Sequence, residues 1–145
     1  MGLPSPSGRR AGDEGVRARA YAAHAAEIHR HTEGITAFSL VRDQPVHAAT
    51  LALFLSALAD NCGEDLLRMK GIVHVAESPE RPAVIHGVQH VYHPPAWLAR
   101  WPSADRRTRI VCIGRAIHPA WAESLLDLLE DEVTHTMASR GAAAA

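Results

Sequence analysis

The stretch from Gly63 to Pro95, GEDLLRMKGIVHVAESPERPAVIHGVQHVYHPP, leaves this chain little choice of fold. KGIVHVAE and AVIHGVQHVYH are rich in β-branched residues, and SPERP between them carries two prolines with the chemistry of a turn. The spacing predicts a long antiparallel hairpin with an extended second arm. Four of the ten histidines, His74, His86, His90 and His93, lie in or beside it. Imidazole side chains bind metal or carry protons near neutral pH.

The flanking segments supply the rest of the sheet and its cover. After Gly34, ITAFSLVRD reads as a first strand covered on at least one face. Asp43 to Pro45 form a turn, and a helix is expected from Val46 to Asn61, with Leu51, Phe54, Leu55 and Leu58 as its buried stripe and Gly63 past its end. Glu64 to Met69 reads as one further helical turn that brings Leu66 and Leu67 to the core. Beyond the hairpin, RTRIVCIGRAI has a continuous apolar run at Ile110, Val111, Cys112 and Ile113, which suits a central strand. His118 and Pro119 then open a second helix whose inner face is read as Trp121, Leu125, Leu128 and either Glu132 or Val133. The expected fold is an α+β two-layer sandwich: a mainly antiparallel four-stranded sheet with two helices on one face, in the order β-α-β-β-β-α. It spans residues 34–137, followed by a frayed tail over 138–145.

Ahead of this domain, residues 1–33 read as a disordered or partly helical linker. MGLPSPSGRRAGDEGVRAR has almost nothing to bury, and RAYAAHAAEIHRH has helix propensity but a thin apolar face. With fifteen basic against sixteen acidic residues, the formal net charge of -1 argues against nucleic acid and against a polybasic membrane anchor. Cys62 and Cys112 are too far apart for a metal or redox motif, which points to a reducing compartment. No apolar window spans a bilayer and no signal-peptide core is present, so a cytoplasmic location is expected.

GITAFSL, GEDLLRMKGIVHV, HGVQHVYHPP and W-P-x-x-D-R-R-T-R-I-V-C-I-G-R, in this order and at these intervals, resemble the C-terminal domain of the CobW family of metal-chaperone GTPases. The resemblance runs from Gly34 to about Leu129. It implies a longer protein, with a P-loop GTPase domain, a cysteine metal cluster and a histidine-rich linker, in which GTP gates the handling of zinc or cobalt. This sequence has no G-x-x-x-x-G-K-[ST] loop to cradle phosphates and no C-x-C-C cluster, so neither hydrolysis nor that metal site carries over. The resemblance therefore implies a non-catalytic accessory domain that needs no cofactor and whose partner is a P-loop GTPase domain or a metal-client protein. The alternatives are one subunit of a split GTPase, or a truncated fragment without a role of its own.

Two sets of side chains are candidates for function. For zinc or cobalt they are His86, His90, His93 and His74 in the hairpin, with His24, His29 and His31 in the linker, where imidazole alone gives weak affinity. On a straight strand His86 and His90 would face the same way but stand roughly 13 Å apart, too far to share an ion without a bulge. His74 on the partner strand would then have to close the gap. The other reading is of strand histidines whose nitrogens meet water or carbonyls. For docking the candidates are Arg68 and Lys70, from the G-E-D-L-L-R-x-K-G block, and Trp97 and Trp101 on a proline-bounded loop; the arginines at 106, 107 and 109 could instead pair with Asp105.

Overall fold

The structure, a computed structural model, describes residues 34–144. The linker reading of 1–33, with His24, His29 and His31, lies outside the described residues. Ile35–Arg42 forms β1, and after the turn Val46 joins Val75 in an isolated parallel bridge, its N–H donating to the His74 carbonyl at 2.8 Å. Helix α1, Ala48–Cys62, buries Leu51, Phe54, Leu58 and Cys62, one stripe at three-and-four spacing. Gly63, at φ 34°, ends it, and its N–H reaches back to the Ala59 carbonyl.

The expected helical turn over 64–69 is shorter than read. A single 3-10 turn covers Gly63–Asp65, and β2 already begins at Leu66 and runs to Val73. Leu66 still reaches the core, fully buried, but from a strand. A register shift between Leu66 and Arg68 accommodates the change from turn to ladder.

The hairpin is present, with β2 paired to β3, Ala83–Val88, but its second arm does not stay extended. Gln89 takes a positive φ of 54°, and Val91–Tyr92, β4, folds back onto β3. Gly87 makes this possible, since a Cβ there would lie 2.8 Å from the Tyr92 ring. Pro94 and Pro95 then stop β4, and Ala96–Trp97, β5, pairs with the start of β3. The sheet thus has six strands rather than four, in the chain order β-α-β-β-β-β-β-α.

Thr108–Arg115, β6, lies between β1 and β2, the central place its apolar run called for, and the main path is β1-β6-β2-β3-β4 with every pair antiparallel. Helix α2, Pro119–Ala143, packs beside α1. Leu40, Met69, Ile85, Ile110 and Cys112 from the strands share one core with Phe54, Leu58, Ala122 and Leu126 from the helices, so both helices cover the same side of the sheet.

The buried row of α2 is Ala122, Leu126 and Val133; of the expected face Val133 is buried and Leu125 packs half-buried on the core, but Trp121 is 38% exposed and Leu128 66%. Weighting large side chains passed over Ala122, which contributes by being small enough for close approach. The helix also runs on through residues read as tail, although nothing after Val133 is buried. Among the described residues, no helix is long and apolar enough to cross a membrane.

Candidate functional site: the uncovered sheet face and its histidine pair

Only one side of the sheet is covered by helices, and alternation along each strand sends the remaining side chains to the other. The pairing aligns them in rows across the strands. Val41, Arg109, Ile72 and Val84 form one row; Ser39, Val111, Lys70 and His86 the next; Ala37, Ile113 and Arg68 a third; Ile35 and Arg115 a fourth. Aliphatic side chains hold the middle, with Val41 40% and Val111 43% exposed. A shallow groove of about 390 Å³ runs over Lys70, Ile72, Val84, His86, Arg109 and Val111.

The charge on this face has one sign. Arg68, Lys70, Arg109 and Arg115 occupy outward positions, and no Asp or Glu does. Asp105, ahead of β6, accepts from Arg109 Nη1 at 3.0 Å and from Arg107 Nε at 3.0 Å. The Arg107 hydrogen bonds hold its carboxyl far below the usual range. Arg106 is engaged elsewhere, with Glu80. Arg68 and Lys70 are exposed and have no carboxylate partner among the described residues.

The Gln89 turn brings His86 and His93 together. Their rings stack with centroids 4.3 Å apart and planes 24° from parallel, and the His93 N–H donates to the His86 carbonyl at 3.3 Å. His90 sits exposed in the turn. His74 is not part of this group. It follows Val73, which pairs with Ala83, whereas His86 faces Lys70, four positions or roughly 13 Å back along β2. Its ring meets Trp101 edge-on at 5.3 Å. Stacked imidazoles direct their nitrogens side by side, so one shared ion requires a ring to turn. Among the described residues no three His, Cys, Asp or Glu side chains are grouped to hold a metal.

The tryptophan pair is divided. Trp97 on β5 is 46% exposed, whereas Trp101 is 9% exposed and donates its indole N–H to the Pro79 carbonyl at 2.8 Å, pinning the 76–82 turn.

Two features of the helix side had no sequence signal strong enough to find them. Glu130 of α2 accepts from the backbone N–H of His47, the residue capping α1, at 3.2 Å, and also from its ring Nδ1. A cleft of about 260 Å³ lies where α1 ends and α2 begins, lined by Cys62, Asp65, Arg115, His118 and Trp121 among others. Burial, and then Asp65, push the Cys62 thiol up, which makes it a poor nucleophile.

Comparison with known proteins gives a match and a fold. Residues 35–130 match the family model described as the cobalamin synthesis protein cobW C-terminal domain. Two solved structures are similar over part of their length. A zinc-bound triple mutant of the YjiA GTPase aligns with a TM-score of 0.61 at 22% identity, over 67% of this chain and 30% of that one. Zinc-bound YjiA GTPase from E. coli aligns at 0.59 and 21%, over 66% and 30%. The chain therefore spans about 30% of these solved GTPases, and at such identity the likeness speaks for the fold. Comparison with curated proteins gives no match.

Proposed function

Because the chain belongs to the cobalamin synthesis protein CobW C-terminal domain family, matched over residues 35–130, we propose that it is a non-catalytic accessory domain of metal homeostasis. It works by docking on another protein and takes up zinc or cobalt weakly through its histidines. The observation that carries this reading is the uncovered sheet face, where aliphatic side chains lie exposed among cations, two of which, Arg68 and Lys70, have no carboxylate partner among the described residues. Surface of this kind is associated with protein contact. The docking residues are Arg68 and Lys70, with Trp97 on β5; the hairpin side chains that meet metal are His86, His90 and His93, and the linker histidines at 24, 29 and 31 are a separate, weak set. Metal is cargo here, and two imidazoles plus water bind it far less tightly than a closed four-ligand site.

A second reading, in which the chain is one subunit of a split metal-chaperone GTPase, is favoured by the YjiA structures. There the aligned region occupies 30% of a longer GTPase chain. Hydrolysis would then belong to a separate P-loop protein that this chain docks on.

The full chain mixed with a CobW-type P-loop GTPase domain and run through size-exclusion chromatography tests the docking. Co-elution supports it, and independent elution with and without GTP overturns it. Equilibrium dialysis against zinc tests the metal. Uptake at micromolar metal that drops in His86→Ala with His93→Ala supports a histidine site in the hairpin, and uptake near zero in the parent chain removes metal binding from the function.

A further inference from the structure

We propose that the uncovered sheet face docks an acidic polypeptide segment, one that sets aliphatic side chains between carboxylates. This rests on the reading of the chain as a docking domain and names the chemistry of what it docks. The starting point is β6. Ile110, Val111, Cys112 and Ile113 form an unbroken apolar run, the pattern of a strand covered on both faces, yet only the side of Ile110 and Cys112 is covered. Val111, Ile113, Ile72 and Val84 continue the apolar surface across three strands. They are bounded by Arg68, Lys70, Arg109 and Arg115, with His86 at the margin.

The charges select the occupant. No carboxylate stands at any outward position of the paired strands, while α2 carries Glu123, Asp127, Glu130, Asp131 and Glu132 on the opposite side of the domain. A second copy docking face to face would set cation against cation and is disfavoured. Nucleic acid is disfavoured too, since the aliphatic middle gives bases no aromatic ring to stack on and the stacked pair His86 and His93 lies at its margin. What remains complementary is a polypeptide whose Leu, Ile or Val side chains enter the groove while its Asp and Glu meet Lys70 and Arg68.

The test uses the full isotope-labelled chain, titrated by NMR with two synthetic peptides of one aliphatic pattern, the first bearing glutamates and the second lysines, and with a deoxythymidine oligomer. The expected result is that the glutamate peptide shifts the amide signals of Ile72, Val84 and Val111, and that Arg68→Glu with Lys70→Glu weakens it about tenfold or more. Arg68→Gln with Lys70→Gln gives a smaller loss and covers the case in which the reversed variant misfolds. Equal binding of the lysine peptide, tighter binding of the oligomer on the same residues, shifts confined to α1 and α2, or no shift at millimolar peptide would each overturn the proposal. A charge-reversed chain that still co-elutes with the P-loop domain rejects this face while leaving the docking function intact; a parent chain that fails to co-elute rejects the function itself.

Discussion

At the scale of single residues, the least replaceable contacts lie between elements far apart in sequence. Glu130 holds both the backbone N–H and the ring of His47, and Glu77 accepts from the Ala48 N–H at 2.9 Å, so two carboxylates from other elements serve the start of α1 in place of a side-chain cap of its own. Glu130→Ala is expected to lower stability by about 1–2 kcal/mol in urea denaturation, the usual cost of a lost cap and a partly buried hydrogen bond.

Cys112 makes a separate prediction. Burial, with Cys62 adding to it, pushes its thiol up to about 12 from the usual 9.0. A folded pKa above the unfolded one means the native chain keeps a proton that the unfolded chain releases. This contribution is intact below pH 9 and is lost as pH rises toward 12, with a slope of up to ~1.4 kcal/mol per pH unit. Tyr92, also raised to about 12 by burial first, acts in the same direction. Cys112→Ala should therefore flatten the alkaline limb of a stability-against-pH curve even though it costs stability at neutral pH. An unchanged limb would show that the thiol does not titrate on unfolding.

At the scale of elements, α2 is two helices in function though one in form. Its first part carries Ala122, Leu126 and Val133 into the core and Asp127 to Arg42 Nε at 2.9 Å; from Thr134 to Ala143 every residue is exposed. Deleting residues 138–145 is expected to change the thermal unfolding free energy by less than about 0.5 kcal/mol, the usual range for surface changes. A larger loss would mean that this end packs on something.

What could be read from the sequence divides along the same lines. Strong periodicity placed α1, β1 and the central β6, because Leu51, Phe54 and Leu58 or the run at Ile110 answer to local rules. The break after Val88 did not, because a left-handed Gln89 has no sequence mark where Gly or Asn would have advertised it. That one residue decides the site. It stacks His93 on His86 and leaves His90 in the turn, so the straight-strand spacing of the histidines no longer applies. The aliphatic half of the open face was present as the apolar run of β6, and Arg68 and Lys70 were singled out from their block. That they line up with Val111 and Ile113 follows from strand order, which local pattern does not encode.

For the whole molecule, the dominant fact is polarity of charge: cations on the open side of the sheet, carboxylates along α2. Attraction of an acidic partner should weaken with salt over the range where the screening length falls from ~10 Å toward 3 Å. The order of the strands adds a constraint on biogenesis. β6, the last strand made, is wedged between β1 and β2, which do not touch each other along the main path. The first strand and the hairpin each present a bare hydrogen-bonding edge until β6 is available, so the nascent domain is most prone to aggregate before residue 115 has left the ribosome. Chains stopped short of Thr108 should fail to become protease-resistant, and a chaperone that holds unpaired strands would find its work here before β6 emerges.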